Sequence, residues 1–139
     1  MTGLRYAATL FLLTTIISGC ASQIDPALEK ERQVRVQKMQ TRVFNTNDRI
    51  LLIRGVIAAM QDLNFIIDNA NIDQGIITAK RFGHYTIEMM VTIQPISDKQ
   101  ILIHVIARYD LKTLEDPLLY EQFFSSLQDY VNLDAHAGS

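Results

Sequence analysis

The side chains in this sequence that could do chemistry are few and lie far apart. Cys20 is the only cysteine among the 139 residues, and the three histidines are His84, His104 and His136. We expect His84 in a turn, His104 on the polar-facing phase of a strand and His136 in the tail of the chain. This spacing matches no zinc-ligand pattern, so the sequence predicts no metal site.

Other catalytic arrangements are also absent from the pattern. Asp68 and Asp73 flank a turn before Gly75, and the ordinary preference of aspartate for turns explains both. Paired acids that hydrolyse a bond need a cleft and opposed environments, and neither a phosphate-binding glycine loop nor a nucleophile elbow occurs. We therefore predict that the chain is not an enzyme, which leaves the Cys20 thiol as the one group whose chemistry must be explained.

The segment before Cys20 has the three parts of a secretory signal. Arg5 supplies the positive start, residues 7–17 form an apolar run, and Ser18 and Gly19 are small residues at the expected cleavage site. A membrane-spanning helix needs about 20 apolar residues, and polar residues follow this run almost at once. Residues 1–19 are therefore predicted to be a cleaved signal peptide rather than an anchor helix.

The four residues Ile17, Ser18, Gly19 and Cys20 resemble the lipobox of bacterial lipoprotein signals. The resemblance implies cleavage after Gly19, with a covalent diacylglycerol and an N-acyl chain such as palmitate on Cys20, and no other cofactor. Ala21 in the next position implies sorting to the outer membrane, facing the periplasm. The alternative is an ordinary signal peptide with an incidental cysteine, which leaves unexplained why the only cysteine lies at the cleavage site.

Composition limits the partners and the size of the folded part. Of the 13 basic and 15 acidic residues, only Arg5 lies within the signal, so the remainder has a formal charge of −3. An acidic chain of this length argues against nucleic acid as a partner and supports one domain. We predict a lipidated tether at residues 20–38 that is partly helical after Pro26, a folded domain at residues 39–133 and a flexible tail at residues 134–139.

Hydrophobic periodicity predicts an α+β domain with the order β-α-β-β-β-β-α. A strand at residues 39–44 precedes a helix at residues 48–63, whose apolar positions recur every three or four residues. Four alternating segments follow as strands, and Asp116 and Pro117 open a last helix. The apolar faces indicate a two-layer arrangement of an antiparallel sheet and helices, with a helix-grip-like topology.

One strand register can be derived by matching apolar faces. Pairing positions that sum to 196, across a hairpin loop at residues 97–99, places Val91 beside Val105 and Glu88 opposite Arg108. Gly55, in the middle of the first predicted helix, costs about 1 kcal/mol relative to alanine. It indicates either close helix approach or a tolerated accident.

Three short motifs resemble a known group of proteins. The stretch from Arg42-Val43-Phe44 through Leu51-x-x-x-Gly55, the run Gln61-Asp62-Leu63-x-Phe65 and the run Gly75-x-Ile77-x-Ala79-Lys80 look like a family of small uncharacterised bacterial outer-membrane lipoproteins. By its topology the domain also resembles the globular modules of BamC, a lipoprotein of the barrel-assembly machinery. The resemblance covers roughly residues 41–109 and implies an envelope location but no reaction. Asn64 stands where the family would have glycine, and asparagine tolerates the left-handed conformation that such a helix end needs.

The predicted outward phase of the sheet is more apolar than a solvated surface requires. Its apolar residues are Ile77, Ala79, Met90, Leu102 and Ile106. We therefore expect this face, or an edge strand, to bind a protein partner, as in an accessory or scaffold subunit of an envelope complex for barrel assembly, secretion or efflux. The alternative is a module that binds a lipid or other small apolar ligand between helices and sheet, in a pocket lined by Met60, Met89 and Phe123.

Overall fold

A computed structural model describes residues 24–137 of the chain. The predicted signal peptide and the lipobox residues Ile17, Ser18, Gly19 and Cys20 lie outside this range. Within it, no helix combines the length and the apolar character that crossing a membrane requires.

The described residues form three helices and six strands. The helices are α1 (Pro26–Gln40), α2 (Arg49–Asp62) and α3 (Pro117–Ala137). The strands are β1 (Thr41–Phe44), β2 (Ile66–Asn71), β3 (Ile76–Arg81), β4 (Ile87–Ser97), β5 (Gln100–Tyr109) and β6 (Lys112–Thr113). The α+β class and the predicted order of helices and strands are confirmed, with α1 and the short β6 as additions.

The strands make one antiparallel sheet in the order β1-β5-β4-β3-β2, and β6 also pairs with β5. The β4–β5 register is the predicted one, with Val91 opposite Val105 and Glu88 opposite Arg108. The predicted three-residue hairpin loop is wrong. Ser97 pairs with Gln100 around a two-residue turn, and a register shift between Pro95 and Ser97 takes up the extra residue.

Helices α2 and α3 pack against each other and cover one face of the sheet. The core between them holds apolar side chains from both helices and from the inward positions of the strands, including Leu52, Val56, Met60, Ile77, Met89, Val91, Ile103, Phe123 and Leu127. Gly55 marks the closest approach of the helices, because a Cβ there would lie 2.7 Å from Leu127 Cδ1 and 3.0 Å from Tyr130 Cδ1. Close approach is therefore the correct explanation of this glycine.

Both ends of α2 follow from local chemistry. The Asp48 side chain accepts a hydrogen bond of 2.9 Å from the Leu51 amide, which satisfies one of the free donors at the helix start. Asn64 ends the helix in the left-handed region with φ of 61°, as its place in the motif predicts. The Phe65 amide then donates to the Met60 carbonyl at 2.9 Å, which completes the cap.

The secondary structure at the two ends of the predicted domain differs from the expectation. The segment predicted as a tether up to residue 38 and as a strand from Met39 is helix α1, which starts where Asp25 caps the Ala27 amide and runs to Gln40. Helix was expected only in part after Pro26, because α1 has few apolar residues and is held largely by polar contacts. The predicted tail from Asp134 is helical as far as Ala137, since α3 continues beyond its buried turns.

Tyr120 joins helix α1 to the sheet edge. β1 pairs with residues 101–104 of β5 and β6 with residues 108–109, which leaves a gap between them. In this gap the buried Tyr120 hydroxyl accepts from the Ala107 amide at 3.1 Å and from Gln40 Nε2 at 3.2 Å, and it donates to the Leu114 carbonyl at 2.8 Å. One hydroxyl therefore completes the edge and fixes the end of α1.

Candidate interaction surface

The sheet face turned away from α2 and α3 is the surface on which the sequence placed its candidate partner residues. Three of the five lie there: Met90, Leu102 and Ile106 are half-buried on this outer face. Met90 and Ile106 are directly opposite each other on β4 and β5, and Leu102 lies between Gln94 and Val43 on adjacent strands. These three residues form the apolar part of the outer face.

Ile77 and Ala79 do not belong to this surface, and their assignment to it was wrong. Each is only 1% exposed. Ile77 is paired with Val91 and Ala79 with Met89, and directly opposed residues of an antiparallel sheet point to the same side. Since Val91 and Met89 point into the core, their β3 partners do so as well. The sequence argument assigned the wrong phase to β3 because only the β4–β5 register had been derived.

A shallow depression of about 200 Å³ surrounds Met90 and Ile106. Four charged side chains stand around it: Asp68, Lys80, Glu88 and Arg108. Lys80 Nζ lies 3.6 Å from Asp68 Oδ2 and 3.7 Å from Glu88 Oε1. Exposed pairs of this kind contribute about 0–1 kcal/mol, so the ring adds little stability and its charges remain able to contact another molecule.

Asp68 lies at an irregularity of β2. The pairing of β2 with β3 shifts between Ile67 and Asn69, which leaves Asp68 without a partner residue in β3. Such a bulge bends an edge strand and discourages the addition of another strand. The sheet edge at β2 is therefore a poorer docking site than the outer face.

A second depression, of about 170 Å³, continues the outer face toward β1. It is lined mainly by polar side chains, from Gln37, Thr41, Thr92, Gln94, Leu102 and His104. His104 lies opposite Thr92, as the register predicts. Gln37 comes from α1, so the last turns of that helix form a wall along this side of the outer face.

The remaining candidate residues are separated in the structure. His84 lies in the β3–β4 connection beside Tyr85, with ring centroids 6.5 Å apart, and His136 lies in the last turn of α3. Among residues 24–137 there is no group of three or more His, Cys, Asp or Glu side chains that could hold a metal ion. Met60, Met89 and Phe123, proposed as the lining of a ligand pocket, are fully buried in the packed core.

Helix α1 carries a second cluster of ion pairs. Arg32 donates to Glu29 at 2.6 Å and 3.0 Å and also pairs with Glu115, which precedes α3. The hydrogen bond from Arg32 lowers the pKa of Glu29, and the hydrogen bonds to Glu29 and Glu115 raise the pKa of Arg32. These contacts connect the first half of α1 to the β6–α3 connection.

A further apolar surface was not found from the sequence. Phe82, Tyr85, Tyr109 and Leu111 are all exposed at the end of the sheet where β3 joins β4 and β5 joins β6. We call these four residues the aromatic end. The Tyr85 and Tyr109 rings are in contact, with centroids 4.6 Å apart. The one sequence signal for the aromatic end is that its apolar residues lie in or beside predicted turns, where polar residues are usual.

Comparison with known proteins does not indicate a function for these surfaces. The chain matches no protein-family model, and a search of curated proteins finds no significant match. The lipoprotein family suggested by the three motifs stays a prediction.

Proposed function

We propose that this chain is a lipid-anchored protein of the bacterial outer membrane that faces the periplasm and serves as a non-catalytic accessory or scaffold subunit of an envelope complex. Barrel assembly, secretion and efflux are the processes in which such a subunit would act. The anchor is the acylated Cys20, and the sequence Ile17-Ser18-Gly19-Cys20 supports it.

The observation that carries the scaffold role is the apolar pair Met90 and Ile106 within its ring of charges. Both side chains are half-buried although α2 and α3 cover the other face. A protein segment that covered this pair would remove apolar area from water at about 25 cal/mol per Å². The surrounding Asp68, Lys80, Glu88 and Arg108 would select partners with complementary charge.

The first test concerns the partner surface. A photo-crosslinking residue in place of Ile106 should give a discrete adduct with an envelope protein in intact cells, whereas the same residue in place of Leu133, an exposed apolar position on α3, should not. Adding Met90→Lys should abolish the adduct and leave the melting temperature nearly unchanged, because Met90 is outside the core. Equal crosslinking from both positions would refute the assignment of the surface.

The second test concerns the anchor. Cells grown with an alkyne-bearing fatty acid should label the wild-type chain, and Cys20→Ser should lose the label and leave the membrane fraction. Because Cys20 is the only cysteine, no other thiol can take its place. Label that persists in Cys20→Ser would contradict the anchor.

A further inference from the structure

We propose that the aromatic end, formed by Phe82, Tyr85, Tyr109 and Leu111, rests in the headgroup region of the lipid bilayer and so fixes the orientation of the domain on the membrane. The inference rests on the proposed acylation of Cys20, which brings the chain to the bilayer. It adds a second membrane contact, made by the folded domain itself.

The direction of α1 is the first step. Near its C-terminal end Gln37 lines a depression with His104 and Thr41. Farther toward its N-terminus Arg32 pairs with Glu115, just after β6. Since β6 pairs with Arg108 and Tyr109 at the end of β5, α1 runs along β5 with its N-terminus toward the aromatic end.

Chain length gives the second step. The residues of α1 before Arg32 extend about 9 Å farther in the same direction at 1.5 Å per residue. Cys20 lies four residues before Ile24, where the described chain begins. Four extended residues span at most about 14 Å. An acylated Cys20 therefore keeps the start of α1 close to the bilayer surface. The aromatic end lies on the same side of the domain as the start of α1, so it is also close to the bilayer.

The chemistry of the aromatic end fits a lipid boundary. Leu111 is 93% exposed and Phe82 is 65% exposed, values that give both side chains little contact with the rest of the domain. Tyr85 and Tyr109 add phenol rings with an apolar body and a polar hydroxyl, the combination that is enriched where a protein crosses from hydrocarbon to water. Leu111 lies at the tip of a tight turn in which Asp110 adopts a φ of 56°, so the backbone presents this side chain outward.

Charge near the aromatic end is mixed. Lys112 is next to Leu111, but Asp110 lies on its other side, and Glu115 is already paired with Arg32. Attraction to anionic lipid contributes about 1 kcal/mol per basic residue, and here Asp110 offsets that of Lys112. The contact should therefore be apolar, and it should depend little on salt or on the fraction of anionic lipid.

The sole native cysteine makes a direct test possible. With Cys20 acylated, a cysteine introduced by Leu111→Cys is the only free thiol and can carry an environment-sensitive fluorophore. Ile72→Cys is the matched control, because Ile72 is an exposed apolar residue in the β2–β3 turn at the opposite end of the sheet. Both full-length proteins are purified from cells in detergent and reconstituted into vesicles of phosphatidylethanolamine and phosphatidylglycerol.

The expected result is a blue shift at position 111 and none at position 72. Interfacial side chains lie roughly 5–10 Å into the headgroup boundary, so a quencher attached to lipid headgroups should quench the label at 111 several-fold more than the label at 72. Adding Phe82→Ser should lower the quenching at 111, and high salt should leave it unchanged.

Other outcomes overturn the inference and separate it from the proposed function. Equal quenching at both positions in a protein that carries the acyl mass and floats with vesicles overturns the membrane contact alone. A protein with an unmodified Cys20 that does not float contradicts the anchor, and the inference fails with it. A shift at 111 that depends on protein concentration and not on lipid identifies a second copy of the chain as the occupant and also overturns the membrane contact.

Discussion

The two faces of the β4–β5 hairpin are built from alternating residues of the same strands, yet they differ in almost every property. On the face covered by α2 and α3, residues such as Val91, Ile103 and Val105 are completely buried. On the outer face, Met90 and Ile106 are half-buried between charged and polar neighbours. The comparison teaches that stability depends mainly on one face of this sheet, while the other face stays partly open to solvent.

The largest loss of stability is expected from a substitution on the covered face. Ile103→Ala should lower the free energy of unfolding by about 3–4 kcal/mol, because it removes fully buried methylene groups and leaves a cavity. Ile106→Ala, three residues along the same strand, should cost only about 1 kcal/mol, since its side chain is partly in water already. Urea unfolding of the two variants measures the difference, and equal losses would mean that the outer face is covered as well.

A smaller effect is expected at the sheet edge, where Tyr120 serves the covered face and α1 together. Tyr120→Phe keeps the ring in the core but leaves the Ala107 amide and the Leu114 carbonyl without the hydroxyl. A buried polar group that loses its partner costs about 1–3 kcal/mol, so we expect a loss of about 2 kcal/mol. Hydrogen exchange should show faster exchange of the Ala107 amide, and an unchanged rate there would contradict the role of the hydroxyl.

The smallest effect tests how tightly the helices pack over the covered face. Gly55→Ala gains about 1 kcal/mol of helix propensity but places a methyl group 2.7 Å from Leu127 Cδ1. Overpacking typically costs about 1–3 kcal/mol, so the net loss should be about 1 kcal/mol. In a Leu127→Ala background, which removes the shortest contact and leaves only that with Tyr130, the same change should cost less, and thermal unfolding of the four chains gives the comparison.

The sequence-based prediction succeeded where a pattern is local. The helix predicted at residues 48–63 spans residues 49–62, and its end at Asn64 follows from residues within a few positions of each other. The β4–β5 register also followed, since one hairpin has few ways to keep apolar residues on one side. The full extent of helix α1 and its place against the sheet did not, because they depend on Tyr120 and Glu115, which are far along the chain.

For the candidate surface too, the sequence predicted the local features and missed those that depend on distant contacts. Alternation identified Met90, Leu102 and Ile106 as an apolar row, but the phase of Ile77 and Ala79 depended on how β3 pairs with β4, which the pattern of β3 alone does not contain. The ring of charges needed the pairing of β2 with β3, which places Asp68 near Lys80. The aromatic end could not be predicted, because it forms only where the β3–β4 and β5–β6 connections lie side by side.

By itself the sequence determined the lipobox prediction at Cys20, the α+β class and the order of the elements through most of the domain. These depend on residue types and short periods that are present before the chain folds. Only the tertiary structure decided which face each strand presents, how α1 lies along β5 and which loops share an end. Those features are set by contacts between residues tens of positions apart, where hydrogen bonding and the burial of apolar surface must be satisfied for the whole sheet at once.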